Sequence, residues 1–326
     1  MHKYFLIPII IFFIIICLLI IYSQYFYVDW KYDFIPENFD PKTKKYEKKI
    51  LPEVCDDKAE VAIIKQNNDF VKNRVWKDQI EITNIPSIHA IYLLPCDGED
   101  REFDVNGSID SSINSINNWF IDKTKNQILS FDKNENNITD VTFIRVNKTL
   151  KWFTKFNTSE NIDNDTGSKI EKIILSNQKI FHNFVNKKFI IFFEGWEKRI
   201  SLLNKACGRS RYNGQIAIFY TNGINKKIKS CTKDNLDNNT NNFFGESEQT
   251  ILHEILHTLG VPFKCGKNTN FKESMHVVDN KDDIMNNVSG SLYLDYNNDD
   301  YYKHNIKDCP DLYNSEFLVN TKKIND

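Results

Sequence analysis

Neither sign of charge is in excess: 42 Lys and Arg stand against 44 Asp and Glu, leaving a formal net charge of −2 over 326 residues. The basic footprint of a nucleic-acid partner is missing, so none is expected. No internal repeat is visible, which sets aside solenoid and array architectures. Histidine is scarce, with seven copies, so a pattern that uses two of them one helical turn apart stands out. What the chain does have is 41% hydrophobic and 13% aromatic residues, enough for a full core in one large domain or two small ones. Asparagine is abundant, as around Asn134–Asn137 and Asn235–Asn242, and reads as compositional bias.

The run "FLIPIIIFFIIICLLIIY" from Phe5 to Tyr22 carries no charge and is long enough to cross a bilayer. Small residues suited to signal cleavage do not follow it; Ser23, Gln24, Tyr25 and Phe26 do. The expectation is an uncleaved signal anchor over 1–27, with a cleaved signal and a secreted chain as the alternative. Lys3 before the run and Lys31 and Lys42 after it orient it only weakly. Beyond Cys17 there remain Cys55, Cys96, Cys207, Cys231, Cys265 and Cys309, an even number that suits three disulfides in an oxidising compartment. Six cysteines admit fifteen pairings. Neighbourhood along the chain favours Cys207–Cys231 and Cys265–Cys309, which leaves Cys55–Cys96; a free Cys55 acting as an inhibitory thiolate is the rival. Seven Asn-x-Ser/Thr sequons begin at Asn106, Asn137, Asn147, Asn157, Asn164, Asn238 and Asn287, and in so Asn-rich a chain they carry little weight.

Residues 28–87 are polar and lysine-rich at their start, with Pro36 and Pro41, and read as a stalk or propeptide-like segment. From 88 to 326 the pattern is that of one domain. "HAIYLLP" (89–95), "VTFIRV" (141–146), "FIIFF" (189–193) and "IAIFY" (216–220) are strand-like. Ile109, Ile113, Ile116 and Phe120 recur at helical spacing, and a second helix is expected near Ile170–Phe184. The order predicts a mixed α/β (α+β) sheet domain.

The final helix carries "HEILHTLG" from His253 to Gly260. Ser247 is a candidate cap and Glu248 falls in the first turn, where the helix dipole favours acids. Gly260 ends the helix and Pro262 prevents its continuation. His253 and His257 are four apart, so both imidazoles face one side and can share a tetrahedral zinc ion. Glu254 sits beside them as a base for a water molecule.

His-Glu-x-x-His-x-x-Gly resembles the opening of the metzincin zinc-protease signature, in which a histidine three residues after the glycine completes the site. Here that place is Phe263. Further on, "HVVDNKDDIM" resembles the His-x-x-Asp and Met-turn stretch of matrix metalloproteases. The resemblance implies His276 as third ligand, Asp279 as its rival, and Met285 as the Met-turn methionine. "VPFKCGKNTNFKESM" is then a loop insertion that carries Cys265.

The chain from about Ile88 is similar to a family of secreted, mostly uncharacterised metzincin-like proteins of bacteria. The matching pieces are "LLPCDGEDREFDVNGSI", "WF", "DVTFIRV", "FFEG", "ACGR", "HEILHTLG", "HVVDNKDDIM" and "LDYNNDDYYKHNIKDCPDL". What it implies is a metzincin-like fold with an active-site helix, one zinc ion and a protein or peptide substrate.

Two further groups are candidates. Asp97, Asp100, Asp104 and Asn106 offer closely spaced oxygens to calcium, or else form a solvated turn. Asp299, Asp300, Tyr301, Tyr302 and His304 crowd one segment, where a tyrosine can stabilise an oxyanion or simply pack. The function expected is a zinc-dependent metalloendopeptidase on a single-pass membrane protein, its domain extracellular or lumenal. The alternative is a membrane-anchored, non-catalytic binding or adhesion module on the same scaffold. Retention of Glu254 argues for catalysis, since a structural zinc site has no use for a base.

Overall fold

The computed structural model describes residues 39–40, 45–46, 54–80, 85–155, 165–197, 207–222, 231–232, 236, 244–272, 274–287 and 292–321. The anchor expected over 1–27 lies outside them. Among the described residues no helix is long and apolar enough to cross a membrane. The chain divides into two compact units, Met1–Leu51 and Pro52–Asp326. In the first, β1 (Phe39–Asp40) and β2 (Lys45–Tyr46) form an antiparallel pair.

The second unit is built on a six-stranded mixed sheet in the order β3-β6-β4-β7-β9-β8. Its strands are β3 (Ile63–Ile64), β4 (Ser87–Leu94), β6 (Val141–Val146), β7 (Lys187–Phe193), β8 (Gly208–Ser210) and β9 (Ile216–Tyr220). β6, β4, β7 and β9 are mutually parallel, while β3 and β8 run antiparallel at the two edges. The central strands read as unbroken apolar runs because both faces are covered. On one face, Ala90, Tyr92 and Leu94 meet α1 (Ser108–Thr124) through Ile109, Ile113, Ile116 and Phe120, and α4 (Glu246–Thr258) through Ile251, Leu252, Ile255 and Leu256. On the other, Ile91 and Leu93 meet α3 (Thr166–Ser176) through Ile170, Ile173 and Ile174, with Phe153 of the short α2 (Leu150–Thr154). The second helix is shorter than expected: after Ser176 the chain continues as single 3-10 turns at Gln178–Ile180 and Phe184–Asn186. β5 (Gln127–Leu129) pairs with β12 (Leu318–Asn320) near the C-terminus.

The boundary expected at 88 falls earlier. Residues 54–80, expected to belong to a stalk, are part of the sheet domain: β3 lies beside β6, and Cys55 is bridged to Cys96. Buried charge holds them there. Asp69 pairs with Arg145 at 2.8 Å, and both side chains are essentially inaccessible. Asp78 takes the Lys187 ammonium, which also bonds Asp132 at 2.7 Å. His89 on β4 gives a further 2.8 Å contact to Asp132. The other bridges are Cys207–Cys231 and Cys265–Cys309, so the pairs are those favoured by the sequence, and Cys55 is not a free thiol. Asn147, one of the sequon residues, is buried and spends its amide on Ala62 and Glu60.

Candidate metal centre

α4 brings His253 and His257 to one side. Its start differs from the expected cap: Gly245 occupies the cap position, its N–H donates to Glu248 Oε2 at 3.0 Å, and Ser247 Oγ instead donates to the Cys231 carbonyl at 2.9 Å. Glu248 is fully buried and also accepts from Ser112 Oγ, so its carboxylate ties α4 to α1. The end is as expected. Gly260 has φ +83°, the left-handed region that favours glycine, and its N–H reaches the His257 carbonyl at 3.0 Å.

The chain then turns through Phe263, which is 9% exposed and packs into the main core, so this place supplies an aromatic wall and no ligand. β10 (Thr269–Asn270) and β11 (His276–Val277) follow as an antiparallel pair with Asn270 opposite His276. This hairpin returns His276 to α4. The ligand atoms of His253, His257 and His276 lie within 4.8 Å of one another. His253 Nε2 and His276 Nε2 are 3.1 Å apart.

The tautomers follow from the partners. His253 Nδ1 lies 2.7 Å from the Ile284 carbonyl and His257 Nδ1 2.9 Å from the Val261 carbonyl. A carbonyl has no proton to give, so both Nδ1 atoms donate and both Nε2 atoms present lone pairs. Burial is the main force holding all three imidazoles neutral. It pushes His253 down to about 4, helped by His276, and pushes His257 well below its ordinary value, helped by His253. His276 is lowered by the same cause. Neutral nitrogens converging at close range repel unless something electron-poor lies between them. A tetrahedral ion with ligand bonds of about 2.0–2.1 Å sets its nitrogens roughly 3.3 Å apart, close to the spacing seen here. The donor set therefore fits zinc.

Glu254 stands next to His253, half-buried, with Oε2 accepting from Ser210 Oγ of β8 at 2.6 Å. Met285 is fully buried, its carbonyl accepting from Val277 N at 3.1 Å and its N–H donating to Asp283 Oδ1 at 2.7 Å. Asp283 also accepts from Tyr301 Oη at 2.8 Å. Asp279 lies instead with Asp299 and Asp300 in a separate acidic group.

The other candidates have different uses. Arg74 takes both Asp100 and Asp104 in a fork, at 2.5–3.0 Å, and so fills the place proposed for calcium with its own guanidinium. Asp97 caps Leu150 N at 2.7 Å and Asn106 caps Ser108 N at 2.9 Å. Tyr301 is spent on Asp283, Tyr302 donates to Gln127 at 2.8 Å, and His304 bonds the Pro310 carbonyl at 2.7 Å, all in buried positions. Asp300 accepts from Asn268 N. Sequence reasoning missed Ser210 and Gly208, whose proximity to Glu254 depends on which face of an edge strand meets α4.

Fold and site together define a mixed α/β domain with a candidate three-histidine metal centre. No protein-family model matches the chain, and no curated protein does. Among solved structures it is similar to catalytically inactive OgpA from Akkermansia muciniphila in complex with an O-glycopeptide (glycodrosocin) substrate, at 9% identity and TM-score 0.32, over 59% of this chain and 51% of that one. Wild-type OgpA gives 12% identity and TM-score 0.32, over 59% and 52%. The match thus spans about half the length of the OgpA chains.

Proposed function

We propose that this protein is a zinc-dependent metallopeptidase that hydrolyses peptide bonds. The observation that carries the reading is the convergence of His253, His257 and His276, two of them with Nε2 lone pairs fixed by backbone carbonyls, with Glu254 next to His253 on the same helix. His253, His257 and His276 would hold the ion, which when bound supplies a Lewis-acid centre that polarises a carbonyl and acidifies water. Glu254 accepts the proton of the attacking water on its carboxylate and then delivers it to the departing amine, which leaves as a neutral group. The Ile284 and Val261 carbonyls hold two of the rings in orientation throughout. We place the domain outside the cell or in the secretory lumen, tethered through residues 1–27. Its three disulfides suit that oxidising compartment.

The test is digestion of a peptide library by the full chain, with chelator and then with zinc restored. Cleavage that disappears with the chelator and returns with zinc is expected. A zinc-loaded protein that cleaves nothing is instead a binding module. Membrane fractionation with N-terminal sequencing tests the tether: a soluble chain that begins near Ser23 refutes it.

A further inference from the structure

β8 is the edge strand of the sheet, antiparallel to β9, with Gly208 opposite Phe219 and Ser210 opposite Ala217. Alternate residues of a strand share a face, so Gly208 and Ser210 look the same way. Both meet Glu254. The Ser210 hydroxyl donates to Oε2 at 2.6 Å, a short bond for a hydroxyl to a carboxyl oxygen. A Cβ on Gly208 would lie 2.5 Å from Glu254 Cγ and 2.8 Å from Oε1. Glu254 therefore lies against the strand backbone, with one oxygen over Gly208 and the other held by Ser210.

The strand itself is fixed. Arg209, on the opposite face, pairs with Asp165 at 2.5 Å and Glu197 at 2.6 Å. Cys207, just before the strand, is bridged to Cys231, whose carbonyl is held by Ser247 in the first turn of α4. The strand and the helix bearing the base thus keep one relation to each other.

We propose that Ser210 is a positioning residue for Glu254. This rests on the peptidase reading above. A glutamate side chain has several rotatable bonds, and a base that must meet one water oxygen loses effect as it samples other rotamers. The Ser210 hydroxyl removes that freedom by holding Oε2, and Gly208 leaves the room for it to do so.

The experiment compares the full-length wild type with Ser210→Ala, Ser210→Thr, Glu254→Gln and the Ser210→Ala/Glu254→Gln pair. Zinc per chain, kcat and KM on a cleaved library peptide, and crystal structures of the wild type and Ser210→Ala are measured. In Ser210→Ala, kcat is expected to fall roughly tenfold or more, as for loss of a hydrogen bond to a charged group. KM should change less than about twofold, zinc should be retained, and Ser210→Thr should recover most of the rate. Ser210→Ala should add nothing in the Glu254→Gln background, since the two act as one unit. The Glu254 carboxylate should leave its wild-type position in the Ser210→Ala crystal. An unchanged kcat, a loss confined to KM, or an equal loss in the Glu254→Gln background overturns the proposal. If the wild type holds zinc but cleaves nothing, the peptidase reading fails. The crystallographic comparison then decides Ser210 alone, and an unmoved carboxylate overturns its positioning role.

Discussion

His253 donates its Nδ1 proton to the carbonyl of Ile284, 2.7 Å away and one residue before the buried Met285. The segment that carries Met285 is therefore tied to the metal-site candidate through the backbone of its neighbour. It fixes the tautomer of His253, and so the direction in which its Nε2 lone pair points.

On the proposed zinc reading, His276 is separable from its rival Asp279. His276→Ala should lose zinc under mild chelation, because it removes one of three protein donors. Asp279→Ala should keep the metal, since Asp279 sits with Asp299 and Asp300. Phe263→Ala should keep zinc as well, yet lose about 3–5 kcal/mol of stability as a buried aromatic. Zinc per chain and urea midpoints check all three. An Asp279→Ala protein that is emptied while His276→Ala stays loaded would reverse the assignment.

Glu254→Gln should retain zinc and lose turnover by about 10²–10⁴-fold, the range general-base catalysis supplies. Full activity in a zinc-loaded Glu254→Gln protein contradicts the mechanism.

The histidines predict an acid response with a definite sign. His253 falls from 6.5 to about 4 in the folded chain. Between those values the unfolded chain binds a proton that the folded one refuses, so the metal-free protein should lose stability as pH falls through that window, and not above it. Zinc affinity should follow the same logic. Three ordinary histidines would weaken binding roughly 50-fold between about pH 7.5 and 6, whereas these, all lowered by burial, should weaken it less. Calorimetric titration at the two pH values measures this.

Arg74→Met should destabilise by about 3–5 kcal/mol, because Asp100 and Asp104 would be left buried without their cation. Millimolar calcium should leave the melting temperature of the wild type unchanged. A rise on adding calcium would restore the cation site expected from the sequence.

Much of the sheet was legible because buried parallel strands write themselves as apolar runs: 141–146 and 216–220 match β6 and β9 to the residue. The metal helix was legible for the same reason, its ridges and its Gly260 stop being local. Residues 54–80 were not. Their attachment runs through Asp69, Arg74 and Asp78, and a charged segment reads as solvated until its partners Arg145, Asp100, Asp104 and Lys187 are brought in from far along the chain. The Arg74 fork on Asp100 and Asp104, where the sequence offered calcium or a solvated turn, was hidden for that reason too. Tyr301 and Tyr302 were visible as a cluster, but their partners Asp283 and Gln127 were not.

The Cys265–Cys309 bridge encloses His276 and Met285 in one covalent ring. A single backbone cut inside that ring severs the chain without releasing either piece. The nicked molecule would run as intact until reduced. Damage to this stretch would thus go unseen on a gel without thiol and need not separate His276 from His253 and His257.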